Sequence, residues 1–245
     1  MNKLLTLAQL DDDLVKQYKS AIQNAFPDII LCSKVIEKYW DRVEAYFPQT
    51  QIFLIDSENQ LLGFMNAIPL FWNAPLRELP DEGWDWMLEK GVDDFENGQI
   101  PNFLGGLQII VTKDNLGNGY SKILISEAKR LVKKEGYENF IIPIRPTFKS
   151  RYPNMKMEEY IDLKVDGKVY DPWIRTHLKG GAKIINICFK AMYIDGNLQF
   201  WEKLMNRKIE TTGAYIVEGA LNPVDIDVEN NHGTYYEDNI WISYF

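Results

Sequence analysis

Apolar positions in the first fifty residues recur at helical spacing. Leu14, Tyr18, Ile22 and Ala25 share one face after the run Asp11-Asp12-Asp13, and Pro27 ends the element. Three aspartates at a helix N-terminus meet its positive dipole end, which makes them a solvated cap rather than a metal site. A second helix is expected from Ser33, carrying Ile36, Trp40, Val43 and Phe47 inward before Pro48. The period then changes. Residues 51–56 form a short apolar run, Ser57-Glu58-Asn59 is turn chemistry, and 60–70 is apolar again, the pattern of a β-hairpin. Residues 71–105 mix Pro, Trp, Gly and acidic side chains around a candidate helix at 84–95. They are expected to form an excursion from the domain.

The centre of the chain alternates strand and helix. Leu107 to Val111 is a buried-strand candidate, Thr112 to Gly119 a polar glycine loop, and Tyr120, Leu124, Ala128 and Leu131 mark one helical face. Lys133 and Lys134 suit the C-terminal end of that helix, and Gly136 stops it. Phe140 to Ile144 is the next strand, so strand, loop, helix and strand make a βαβ unit with two parallel strands. Residues 152–168 read as irregular. Asp171-Pro172 opens another helix as N-cap and first position, Gly180-Gly181 closes it, and strands are expected at 184–193, 212–217 and 240–245. The fold class is α/β: a mixed, mostly antiparallel sheet with a central parallel pair, flanked by helices in a single domain over 1–245.

Composition narrows the function. A net charge of −8 lacks the basic footprint of a nucleic-acid-coating protein and leaves a cationic small substrate open. The two cysteines, Cys32 and Cys188, form neither a disulfide framework nor a zinc-ligand spacing. Residues 4–10 are a short apolar stretch without a small-residue cleavage site, and no segment reaches the roughly 18 apolar residues of a membrane span. A cytoplasmic protein without a metal site is expected.

A strand feeding a glycine loop and a helix N-terminus is an anion site, because free backbone N–H groups and the helix dipole converge there. No Gly-Lys-Ser/Thr is present, and the third glycine of a dinucleotide fingerprint is replaced by Lys122, so neither nucleotide loop fits. The run Val111-Thr112-Lys113-Asp114-Asn115-Leu116-Gly117-Asn118-Gly119-Tyr120-Ser121-Lys122-Ile123-Leu124 resembles instead the pyrophosphate loop of the GNAT superfamily of acyl-CoA-dependent N-acyltransferases. Gly119 matches the family's obligatory glycine. Leu116 stands where Gln or Arg is usual, and Ser121 where Gly or Ala is usual. The order of elements from about residue 4 to 217 is also similar to the family's, with insertions around 71–105 and 150–170 and a C-terminal β extension.

The resemblance implies acetyl-CoA or a close relative as acyl donor and an amine as acceptor; the acidic balance and aromatic content point to a small-molecule amine. It implies that backbone groups of Leu116, Gly117, Asn118, Gly119, Tyr120 and Ser121 hold pyrophosphate, while those of Ile109 and Val111 hold the pantetheine arm and acyl carbonyl. The family's proton donor is a tyrosine four residues before a helix-ending glycine. Counting back from Gly181 gives His177, a group able to protonate a leaving thiolate. Counting from Gly180 gives Thr176. His232 reads as a loop-tip residue and Cys188 as packing. Glu158, Glu159, Asp162, Arg145 and Lys149 flank the expected mouth, and Trp72, Trp84, Trp86 and Trp173 are aromatic candidates for its walls. A homodimer is left open. The competing expectation is a catalytically inactive acyl-CoA sensor or protein-interaction module on the same fold, motivated by Leu116, Ser121 and the missing tyrosine.

Overall fold

The computed structural model describes residues 2–245. The chain starts with β1 (Lys3–Thr6) and the helices α1 (Asp12–Ala25), α2 (Asp28–Leu31) and α3 (Lys34–Tyr46). Asp11 caps α1 by accepting from the Leu14 amide, and Ser33 caps α3 by accepting from that of Ile36. The hairpin β2 (Gln51–Ile55) and β3 (Leu61–Leu70) turns at Asn59, whose φ of 61° is left-handed. Next come α4 (Gly83–Glu96), β4 (Phe103–Val111), α5 (Tyr120–Glu135) and β5 (Asn139–Ile144). The chain then adds α6 (Met157–Ile161), a miniature hairpin of β6 (Lys164–Val165) and β7 (Lys168–Val169), and α7 (Pro172–Lys179). It ends with β8 (Lys183–Gly196), α8 (Leu198–Met205), β9 (Gly213–Tyr215), β10 (Val224–Asp227) and β11 (His232–Ser243).

Nine strands form one sheet in the order β1-β2-β3-β4-β5-β11-β10-β9, with β8 also paired to β11. All these pairings are antiparallel except β4 with β5. Alternation along each strand divides the core between the two faces. On one face Leu104, Phe140, Ile142 and Ile240 pack under Leu124 and Ala128 of α5 and Ile174 of α7. On the other, Phe103, Leu107, Ile141 and Trp241 meet Val43 of α3 and Met87, Leu88 and Val92 of α4. Leu14 and Tyr18 of α1 pack nearby on Phe53 and Phe64. A fully buried Leu such as Leu88 or Leu124 contributes about 2 kcal/mol by leaving water.

Three expectations need correction. The segment 71–105 is no peripheral excursion: β4 already begins at Phe103, and Met87, Leu88 and Val92 of α4 are wholly buried. Residues 152–168 are ordered as α6 and the small hairpin. The last strand starts at His232 rather than 240, so His232 opens β11 instead of lying at a loop tip.

Candidate active site

The parallel pair at the centre of the sheet is short. Only Phe103↔Asn139, Leu104↔Phe140 and Gly105↔Ile141 are in register, and beyond them β4 and β5 diverge. The Thr112 amide donates to the Leu62 carbonyl, so by alternation the even positions of β4 bond to β3. The backbone groups of Ile109 and Val111 consequently face the opening. On the other side, the Tyr244 amide donates to the Phe140 carbonyl, which turns the even positions of β5 toward β11. Pro143 therefore points its missing N–H into the gap, the one place in a central strand where no ladder bond is lost.

At the base of the opening β4 carries a bulge. Asn66 pairs with Gln108 and Ala67 with Gly106, leaving Leu107 unmatched. The bulge is fastened from α4, where Trp84 Nε1 donates to the Leu107 carbonyl at 2.7 Å. Gln108 and Ile109, next to it, and Val111 are half-buried, whereas the rest of the strand is buried.

The glycine loop closes the far end. Asn115 holds it to the strand end, its side-chain amide donating to Thr112 Oγ1 at 2.8 Å. Gly117 and Gly119 adopt φ values of 84° and 80°, which only glycine enters freely, and Gly119 is the N-cap of α5. The amides of Gly117, Asn118, Gly119, Tyr120 and Ser121 make no hydrogen bond among the described residues. A Cβ at Gly117 or Gly119 would meet nothing within 4 Å, so the cradle opens outward. Five free amides at a helix start form a fitting seat for a pyrophosphate. Leu116 is 65% exposed, so its departure from Gln or Arg leaves the backbone of the loop intact.

His177 lies fully buried on α7. Its Nδ1 is 2.6 Å from Tyr244 Oη, its ring meets Trp173 edge-on at 4.1 Å, and Nε2 has no partner. Burial pushes its pKa down to about 3, so the ring is neutral at pH 7. Tyr244, whose hydroxyl burial holds above the usual phenol range, stacks on Phe140 at 5.3 Å. A Cβ at Gly106 would come within 3.1 Å of the Phe140 ring, so His177, Tyr244 and Phe140 form a packed line toward the base of the opening.

Other candidates serve elsewhere. Arg145 Nε pairs with the fully buried Glu237 at 2.9 Å, while Tyr235 Oη donates to that carboxylate at 2.8 Å. Lys149 is buried and donates to the Leu221 carbonyl at 2.7 Å. Arg145 thus ties the β5 end to β11, Lys149 ties the following turn to the segment before β10, and both are engaged within the fold. Glu158, Glu159 and Asp162 are exposed around α6, and Cys188 is wholly buried. Trp72, Trp86 and Trp173 are half-buried and pack against the core. Missed in the sequence was Asp85 of α4. Its Oδ2 accepts from the Tyr193 amide at 2.9 Å, its Oδ1 is buried without a partner, and burial pushes its pKa up to about 7.

A sheet whose two central parallel strands splay beyond a bulge, with a free-amide loop on the helix between them, is the fold of the GNAT superfamily. No family model matches the chain. The loading GNATL domain of CurA from Lyngbya majuscula superposes with a TM-score of 0.58 over 100% of this chain and 97% of its own, at 15% identity. The GNAT-like decarboxylase GphF in complex with isobutyryl-CoA gives a TM-score of 0.53 over 98% and 97%, at 14% identity. In sequence the chain is similar to the arginine N-acetyltransferase avaD of Aspergillus versicolor, 29% identical over 249 residues, spanning 90% of this chain and 85% of that one. By fold the chain is GNAT-like, and in sequence it is similar to an N-acetyltransferase.

Proposed function

We propose that the protein moves an acetyl group from acetyl-CoA directly to the nitrogen of a small-molecule amine. The observation that carries this reading is the row of five unpartnered amides from Gly117 to Ser121 at the mouth of the β4–β5 opening. These amides hold the pyrophosphate, with Leu116 contributing only its backbone. The outward-facing groups of Ile109 and Val111 hold the pantetheine arm alongside β4. The bound donor supplies an activated thioester carbonyl, and the acceptor amine is its nucleophile.

His177 and Tyr244 act as one proton-donating unit for the departing thiolate. Tyr244 Oη gives its proton to the departing thiolate, the neutral His177 ring at 2.6 Å stabilises the resulting phenolate by donating from Nδ1–H, and the proton the amine loses on acylation restores the phenol, so Tyr244 stands in for the tyrosine lost from the family's helical position. The bulge at Leu107 turns the backbone of β4 so that charge developing on the acyl oxygen meets peptide dipoles. Arginine, named for the Aspergillus relative, is the first acceptor to try. Among the described residues no helix is long and apolar enough to cross a membrane, and both cysteines are unpaired, which fits a reducing cytoplasm.

Calorimetric titration with acetyl-CoA tests the reading. Saturable binding by the native protein and its loss in Gly119→Trp, whose side chain lies across the amides, is the expected result. No binding at millimolar donor removes the link from loop to thioester and the enzyme with it.

A further inference from the structure

On the face of the sheet opposite α5 and α7, a closed ring of contacts surrounds the β4 bulge. Gln108 Nε2 donates to Asn66 Oδ1 at 2.7 Å, and Asn66 Nδ2 reaches Tyr18 Oη at 3.3 Å. Tyr18 Oη donates in turn to Glu44 Oε1 at 3.0 Å, which also accepts from Trp40 Nε1 at 3.1 Å. The indoles of Trp40 and Trp84 lie within 9° of parallel with centroids 6.5 Å apart, and Trp84 returns to the bulge through the Leu107 carbonyl. Tyr18, Asn66 and Trp84 are the buried floor; Trp40, Glu44 and Gln108 are half-buried at the rim.

The ring is complete except for one atom. Glu44 Oε1 holds two donors, whereas Oε2 has no hydrogen bond and the carboxylate has no cationic partner among the described residues. The nearby cations of α3 are engaged by α4: Lys38 with Glu89 at 3.8 Å and Arg42 with Glu96 at 3.4 Å. Both occupy a different helical face from the i,i+4 pair Trp40 and Glu44. A half-desolvated carboxylate held by an indole N–H and a phenol O–H is incomplete without a cation, and the nearby aromatic faces favour a flat, weakly hydrated one.

We propose that this ring is the acceptor subsite. It takes a planar cation, a guanidinium or amidinium, whose charge pairs with Glu44 Oε2 and whose plane lies against the indoles of Trp40 and Trp84. The inference rests on the acyl-transfer reading and adds to it the chemical class of the acceptor. Anchoring the charge at Glu44 leaves the acceptor's amine to reach Leu107 and Gln108 across the ring.

L-arginine and L-citrulline test it, since the two have one shape and differ in charge. Each is titrated calorimetrically into CoA-saturated native and Glu44→Gln protein, with acetyl-CoA binding measured beside them. The glutamine carbonyl still accepts from Tyr18 and Trp40, so the ring stays closed. The native protein is expected to prefer arginine by on the order of tenfold, the weight of one charge-assisted contact. Glu44→Gln brings arginine down to the citrulline level and leaves acetyl-CoA binding unchanged. An arginine preference that survives the substitution, or its absence from the native protein, overturns the subsite while acyl transfer stands. Native protein that fails to bind acetyl-CoA removes the acyl-transfer reading itself, and the subsite with it.

Discussion

Replacing Asp85 by Asn removes a buried carboxyl whose two protonation states fit the fold unequally. Its pKa is pushed from the ordinary 3.8 to about 7, chiefly by burial, with Glu237 of β11 and Glu89 of α4 adding repulsion and the Tyr193 amide of β8 opposing. Arg145 offsets part of the Glu237 charge. In the folded state Asp85 stays protonated up to about pH 7, whereas in the unfolded chain it ionises near 3.8. Unfolding between those values releases a proton, so its contribution to stability falls as pH rises from about 4 to 7 and stays low above. At about 1.4 kcal/mol per unit, the full shift costs roughly 4 kcal/mol, of which about 3 kcal/mol appears between pH 5 and pH 8. Asn cannot ionise but leaves both its amide hydrogens unpartnered, a cost of about 1–3 kcal/mol at every pH. Denaturant unfolding of both proteins at the two pH values reads the difference. Native protein should lose about 3 kcal/mol more than the variant on going to the higher pH. Parallel pH profiles would refute the assignment of a protonated buried Asp85.

His177 titrates in the opposite sense. Its folded pKa lies well below its ordinary 6.5, so its contribution is present above that value and is lost as pH falls toward about 3. Unfolding of His177→Gln should therefore depend less on pH between about 6 and 4 than that of the native protein, and equal slopes would contradict a buried neutral ring. Tyr244→Phe should slow acetyl transfer through kcat with donor affinity intact, as single-turnover rates would report; unchanged kcat excludes the phenol as proton donor. Asp171 caps α7 through the amides of Trp173 and Ile174 and also accepts from the Phe148 amide and Tyr160 Oη. Asp171→Ala leaves several buried donors unpaired, and urea denaturation should show a loss of about 3 kcal/mol or more.

The parts of this molecule legible in the sequence are those governed by local periodicity and capping. Asp11, Ser33 and the Asp171-Pro172 pair mark helix starts to within a residue, and Gly136 marks a stop. The loop from Thr112 to Gly119 was readable because left-handed glycines and a helix start leave a local signature. Contacts distant in sequence were not. Gly83 to Glu96 reads as amphipathic but does not announce that Trp84 reaches the Leu107 carbonyl, or that Asp85 meets Tyr193 over a hundred residues away. His177 could be found by counting back from a glycine, but its burial depends on Tyr244, which arrives at the end of the chain. The Arg145–Glu237 pair likewise joins residues that no local pattern connects.

Under the proposed acyl transfer, the link between α4 and the bulge ties the 71–105 segment to the reacting group, and Trp84→Phe separates that role from packing. Phenylalanine retains most of the buried aromatic surface and cannot donate to the Leu107 carbonyl. That carbonyl belongs to a residue only 5% exposed, so losing its donor should cost about 1–3 kcal/mol in unfolding free energy. The bulge also fixes how the β4 backbone presents itself to the acyl group, and a small displacement of positioned groups costs rate out of proportion to stability. Acetyl transfer should therefore fall at saturating donor and acceptor, while acetyl-CoA affinity holds because the free amides of Gly117 to Ser121 lie at the other end of β4. A variant that loses stability yet turns over at the native rate would show that α4 only covers the sheet. One that loses donor affinity in the same measure as rate would place the effect in the opening as a whole rather than at the bulge.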